Sequence, residues 1–168
     1  ITIQRYRTAE LTQVHQAWLE ASDALGYPRC EDANDPAGWG SGPHPMNKIG
    51  RLRISTAIGY LSAARARPNL RIRPNTLTGR VVFEGTRAVG VEVETDGNIE
   101  VLRARTIILS AGALQSPAIL MRSGIGPRDE LERHGIELLR DIQGVGTRLS
   151  DHPALAVFAA FLHDYRVG

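Results

Sequence analysis

Thr106-Ile107-Ile108-Leu109-Ser110-Ala111-Gly112-Ala113-Leu114-Gln115-Ser116-Pro117-Ala118-Ile119-Leu120-Met121 is the stretch whose reading decides the fold. Its first four residues are continuously apolar and β-branched, as expected for a strand buried on both faces of a sheet. Ala111 and Gly112 are small and let another object approach the backbone closely. Ser116 is a preferred helix N-cap and Pro117 suits a first helical position, so a helix is expected over 118–121. Strand, small-residue turn and helix together make an α/β unit. A helix N-terminus presents free N–H groups and the positive end of the dipole, which suits a phosphate or another anion. Ligands of open α/β sheets bind beyond the carboxyl ends of strands, where this turn would lie. On these grounds alone two readings stay open: a cofactor contact, or a tight joint whose small residues serve packing.

Upstream of that stretch the hydrophobic period is two. Residues 70–73 read as a short strand. Val81-Val82-Phe83 leads into a turn at Glu84-Gly85-Thr86-Arg87, after which Val89, Val91 and Val93 alternate. Asp96-Gly97 is a hairpin signal, with 101–104 as the return strand. The expectation is an antiparallel meander, apolar on one side and polar on the other. Downstream, residues 128–134 predict a short helix closed by Gly135, and 136–139 and 154–162 are strand candidates.

Toward the N-terminus, Leu11, Val14, Trp18, Leu19, Ala21 and Leu25 mark one face of a helix over 9–25. Thr8 is its expected cap and Gly26 its stop. Residues 31–50 are rich in Gly, Pro, Asn and Asp and read as a long loop, of the kind that commonly serves as a lid or lining. Ser55 opens a second short helix over 56–64. Residues 1–70 therefore read as a helical and loop region, and 71–168 as the meander joined to one incomplete sheet unit.

Composition narrows the function. The 168 residues carry 20 Lys+Arg against 18 Asp+Glu, a net charge of +2 that calls for no polyanionic partner. The arginines, such as Arg51, Arg53, Arg65 and Arg67, lack interleaved aromatics to stack bases, so nucleic-acid binding is not expected. No apolar run approaches the roughly 18 residues of a membrane helix. Cys30 is the one cysteine, which excludes an internal disulfide and a multi-Cys metal cluster. A passive thiol in a reducing, cytoplasmic setting is the expectation. The start, Ile1-Thr2-Ile3-Gln4-Arg5, has neither Met nor a signal-peptide core and reads as a cut end.

Residues 112–126 end in Arg122-Ser123-Gly124-Ile125-Gly126, and the whole run resembles the second signature of the glucose–methanol–choline oxidoreductases. Other segments agree in the same order. They are Leu25-Gly26-Tyr27-Pro28 with Asp32 and Asn34; Arg53 with Ser55-Thr56-Ala57, Tyr60-Leu61 and Arg67-Pro68-Asn69-Leu70; and Val145-Gly146, Leu149 and Asp151-His152-Pro153. Arg148 departs from the Asn usual in the last of these. The pattern is similar to the family's choline dehydrogenase-like members and covers nearly the whole chain.

The resemblance implies an α/β fold of α+β character: part of an FAD-binding sheet, with a small antiparallel meander and flanking helices. It implies a fragment of a flavoenzyme that oxidises the CH–OH group of a small alcohol, passing a hydride to FAD. Thr78 aligns with the position whose backbone touches adenine in relatives, where Val is usual. Ser110, Ala111 and Gly112 align with the turn beside the dinucleotide, and Ser116 would contribute through its helix end. The sequence contains no Gly-x-Gly-x-x-Gly turn for the pyrophosphate; Gly144-Val145-Gly146 begins the spacing but does not complete it.

The family's catalytic His lies beyond Gly168, so no catalytic residue is expected in this chain. His15, His44, His134, His152 and His163 offer no metal-ligand spacing. His152 reads as a structural histidine within a loop. The rival to an oxidoreductase fragment is a catalytically inactive interaction module with the same fold.

Overall fold

The computed structural model describes residues 2–151, which divide into two compact units, 2–72 and 73–151. In the first unit a single 3-10 turn at Thr8–Glu10 precedes α1, Gln13–Ala24. The α1 cap is Thr12, whose Oγ1 accepts from the His15 N–H at 3.4 Å, and not Thr8 as expected from the sequence. The extended backbone at Leu11 and Thr12 separates the two turns, because a cap residue must itself stay non-helical. Gly26, at φ +82°, terminates the helix as expected. Trp18 and Leu25 on its apolar stripe remain 72 % and 77 % exposed.

The long loop is tied down by hydrogen bonds. Gln4 and Met46 exchange backbone bonds of 2.8 and 2.9 Å, and Ser41 joins Pro28 and Cys30. The Asp32 carboxylate accepts from the Asn34 N–H at 3.0 Å and from Arg5 at 2.8 Å. The Asn34 amide foremost, with Arg5 behind it, holds the Asp32 carboxyl below its ordinary range. Lys48 is buried, with its Nζ 3.5 Å from the centre of the Tyr6 ring and 3.4 Å from the Glu10 carboxylate. Glu10 is likewise held low, first by the Arg7 N–H, with partial burial opposing and Lys48 assisting.

Two short strands, β1 (Lys48–Ile49) and β2 (Leu52–Arg53), pair antiparallel at the loop's end. Ser55 accepts from the Ile58 N–H at 3.3 Å and opens a wide π-turn, Ala57–Leu61, that runs into α2, Ser62–Ala64.

The second unit is built on the expected meander: β3 (Thr76–Glu84), β4 (Arg87–Thr95) and β5 (Asn98–Arg103), in that order and antiparallel throughout. The hairpin between β4 and β5 turns at Asp96 and Gly97, with φ of +50° and +78°, the mirror-image turn that matches strand twist. Residues 70–73 form no strand, contrary to expectation. Pro74, which has no N–H, and Asn75, at φ +53°, intervene, and pairing begins only at Thr76.

Register follows from the hairpin. Thr95 and Asn98 close a two-residue turn and so exchange hydrogen bonds, which directs Thr95, Val93 and Val91 toward β5. Glu94, Glu92 and Gly90 are thereby directed toward β3. Val81, Val91, Val93 and Leu102 share one face, where Val81 and Val93 are 5 % and 4 % exposed. The opposite face carries the Arg80–Glu92 ion pair beside exposed Leu77, Ile99 and Val101.

Helix α3 (Gly112–Arg122) packs against β3 through an inner side that includes buried Ile119. It leads into β6 (Ile125–Gly126), α4 (Arg128–Arg133) and β7 (Arg140–Asp141), with β6 and β7 parallel. Leu131 of α4 is the most deeply buried side chain among the described residues. Gly135 ends α4 at φ +65°, as its sequence predicts.

Three strand expectations need correction or lie out of reach. Residues 136–139 are irregular, because the backbone that pairs with β6 lies one step later, at β7. Residues 106–109 are in no strand, and Ile108 is 81 % exposed. A doubly buried strand needs neighbours on both edges and cover on both faces, and the described residues supply none of these. The candidate at 154–162, with His152 and His163, lies outside the described residues.

Candidate functional site

The turn singled out in the sequence is open. Ser110, Ala111, Gly112, Ala113 and Leu114 are all exposed, and no bulky side chain of the described residues fills the bend. Gly112 takes φ +83°, a left-handed conformation costly to any residue with a Cβ, and this reverses the chain into α3. A Cβ built there meets nothing within 4 Å, so the requirement is torsional and not a matter of space.

Helix α3 therefore starts at Gly112, several residues before the expected cap at Ser116. Ser116 instead sits inside the helix, half-buried, with its Oγ accepting from the Ala111 N–H at 3.0 Å. The hydroxyl is engaged in holding the turn closed. Pro117 is an interior residue and leaves the Ala113 carbonyl without its helical donor. The opening N–H groups of α3, from Gly112 onward, have no partner within the helix and point out at the exposed turn.

Thr78 sits elsewhere in the unit. It lies on β3 opposite Val93, and Val93 is directed toward β5, so the Thr78 N–H and C=O face the outer edge of the sheet. The register slips between Thr78 and Arg80, leaving Gly79 as an extra residue in β3. Two side chains at the end of α3 meet this irregular edge. The Arg122 Nε donates to the Gly79 carbonyl at 2.7 Å and its Nη2 to the Thr78 carbonyl at 3.3 Å. Ser123 Oγ accepts from the Val81 N–H at 2.8 Å and donates to the Ile119 carbonyl at 2.6 Å.

Neither residue was singled out from the sequence, although both stand in the Arg-Ser-Gly-Ile-Gly ending. Their signal was a pattern position without a chemical role.

The structure thus brings Ser110, Ala111, Gly112 and Ser116 together at one end of α3, and places Thr78 at the other. At 1.5 Å per residue the two ends are separated by about 15 Å. Among the described residues no group of three His, Cys, Asp or Glu side chains is placed to hold a metal. His134 bonds Glu130 at 3.1 Å, beside the end of α4, and His44 is exposed. No helix of the described residues is long and apolar enough to cross a membrane.

The chemistry this arrangement offers is recognition through backbone: an open helix start and a donor–acceptor strand edge. Comparison with known proteins shows the family of the chain. The family model described as GMC oxidoreductase matches residues 1–154. An uncharacterised GMC-type oxidoreductase of Rhodococcus erythropolis is 40 % identical over 153 residues, 91 % of this chain and 31 % of the relative. An oxygen-dependent choline dehydrogenase of Pseudomonas putida is 45 % identical over 141 residues, 81 % of this chain and 25 % of the relative. Among solved structures, the pyridoxine 4-oxidase from Mesorbium loti superposes with a TM-score of 0.79 at 36 % identity, over 84 % of this chain and 28 % of that one. The chain thus spans about a quarter to a third of the length of these proteins. By sequence and by fold, this chain belongs to the GMC oxidoreductase family.

Proposed function

We propose that this chain forms part of an FAD-dependent oxidoreductase acting on the CH–OH group of a small alcohol, and that it lines the dinucleotide end of the flavin pocket. The open turn at 110–114 carries the reading: small residues, a left-handed Gly112 and helix N–H groups without an intrahelical partner stand exposed on a surface that no other described residue fills. Large side chains plugging that bend would have argued against it.

These residues fit a nucleotide. Ser110, Ala111 and Gly112 would pass close to it through backbone, with Ser116 keeping the turn in shape from behind. Thr78 would meet the adenine through its outward N–H and C=O. The Val-to-Thr change there leaves a backbone contact intact. When bound, FAD would supply the two-electron acceptor for the hydride leaving the alcohol carbon. What the chain itself does is bind and orient. The proton-abstracting histidine and the pyrophosphate-binding glycine turn would come from polypeptide beyond these 168 residues.

Choline dehydrogenase among the relatives makes a small amino-alcohol a reasonable first substrate to try. The test is to express the complete protein encoded around this chain and record its visible spectrum before and after adding candidate alcohols. Bound yellow flavin that bleaches with an alcohol under anaerobic conditions supports the proposal. Colourless, correctly folded protein that takes up no added FAD would reject it in favour of a non-catalytic module.

A further inference from the structure

Among the described residues strand β3 has β4 on one side only, so its other edge would ordinarily expose a row of backbone donors and acceptors. Between Thr78 and Val81 that edge is occupied by side chains from α3. In a regular strand successive carbonyls point to opposite edges, and one guanidinium cannot reach two in a row. The extra residue Gly79 turns its carbonyl to the same side as that of Thr78, and Arg122 bridges both. Ser123 fixes the next outward group, the Val81 N–H, while anchored to Ile119 in the helix. Among the described residues Arg122 makes no ion pair with a carboxylate, and its charge-assisted bonds go to backbone.

We infer that Arg122, assisted by Ser123, is a positioning residue that sets the direction of the Thr78 backbone for recognition of adenine. This rests on the reading of Thr78 as the adenine contact. A carbonyl oxygen has two lone pairs. The guanidinium takes one and fixes the plane of the peptide, and the other stays available beside the outward Thr78 N–H. Adenine presents the complement, an exocyclic amine donor next to a ring-nitrogen acceptor. Hypoxanthine has a carbonyl in place of the amine and a protonated ring nitrogen, which reverses both positions. A backbone held at a fixed angle discriminates between these bases, whereas a loose bulge adapts to either.

The experiment uses the complete protein, with FAD and its hypoxanthine analogue as probes, and measures the ratio of their dissociation constants together with the thermal midpoint of the apoprotein. Wild type is expected to prefer FAD by about tenfold, the scale set by leaving buried polar groups mispaired. In Arg122→Met the preference falls to within about twofold. Arg122→Lys keeps the charge but loses the planar fork, and its ratio falls about threefold; it also serves should the Met variant not fold. A purely structural Arg122 would lower the thermal midpoint and leave the ratio unchanged, which overturns the assignment. Wild type that binds FAD without preferring it overturns the assignment too, while the proposed function survives. Wild type that binds neither dinucleotide overturns both.

Discussion

Two apolar, β-branched stretches of the second unit have opposite fates. Val89, Val91 and Val93 are enclosed in the meander, whereas Ile107, Ile108 and Leu109, only some fifteen positions on, lie outside any strand with Ile108 81 % exposed. Composition does not separate them. Distance to a partner does. The valines are flanked by tight turns at Gly85-Thr86 and Asp96-Gly97, so each neighbour strand arrives within a few residues at small entropic cost. Among the described residues, 106–109 have no hairpin partner, and a strand of parallel type must wait for a distant crossover. The same exposure leaves the turn at 110–114 accessible, so the unfinished region is also the candidate site.

The sharpest way to break this comparison is a matched pair of charge insertions. Val93→Asp places a carboxylate where the side chain is 4 % exposed and should cost about 3–5 kcal/mol or prevent folding. Ile108→Asp should change the stability of this chain by less than about 0.5 kcal/mol. Urea unfolding of both variants checks the contrast, and equal destabilisation would show that 106–109 is buried after all. In the complete protein, Ile108→Asp should become severely destabilising if the segment is covered there.

Gly97→Ala should cost about 1–2 kcal/mol, since φ of +78° strains a side chain at the hairpin that sets the register. The same urea titration reads it, and a neutral result would mean that packing, not the turn, fixes the register. Ser116→Ala should cost about 0.5–1 kcal/mol by freeing the Ala111 N–H in an already exposed turn.

The smallest effect sharpens the view of the first unit. Asp32 is held below its ordinary value of 3.8, so its contribution is present above that pH and is lost as pH falls through the lowered folded-state value. The acid limb of stability should therefore be shallower in Asp32→Asn than in wild type, with the curves converging at the lowest pH. Urea midpoints across the acid range measure it.

Much of the fold was legible because it is local. The meander, the Asp96-Gly97 turn, the Gly26 stop and the Gly135 cap all depend on residues a few positions apart. The misreadings have equally definite causes. Ser116-Pro117 looked like a helix start, but a left-handed Gly112 began the helix earlier and turned Ser116 into a brace. Residues 70–73 looked like a strand until Pro74 and Asn75 intervened. Of the candidate site, Ala111 and Gly112 were singled out by their small size, and Ser110 by the family resemblance. Arg122 and Ser123 were not, because their partners, Thr78, Gly79 and Val81, lie more than forty positions away.

By itself the sequence determined the family pattern, the hairpins and the character of the turn after Leu109, since these are set by side-chain chemistry at short range. Only the tertiary structure decided which edge of β3 faces α3, which carbonyls Arg122 grips, and that the turn at 110–114 faces outward. Those outcomes depend on strand register and on a one-residue bulge, and a shift of a single position exchanges the two edges of a strand.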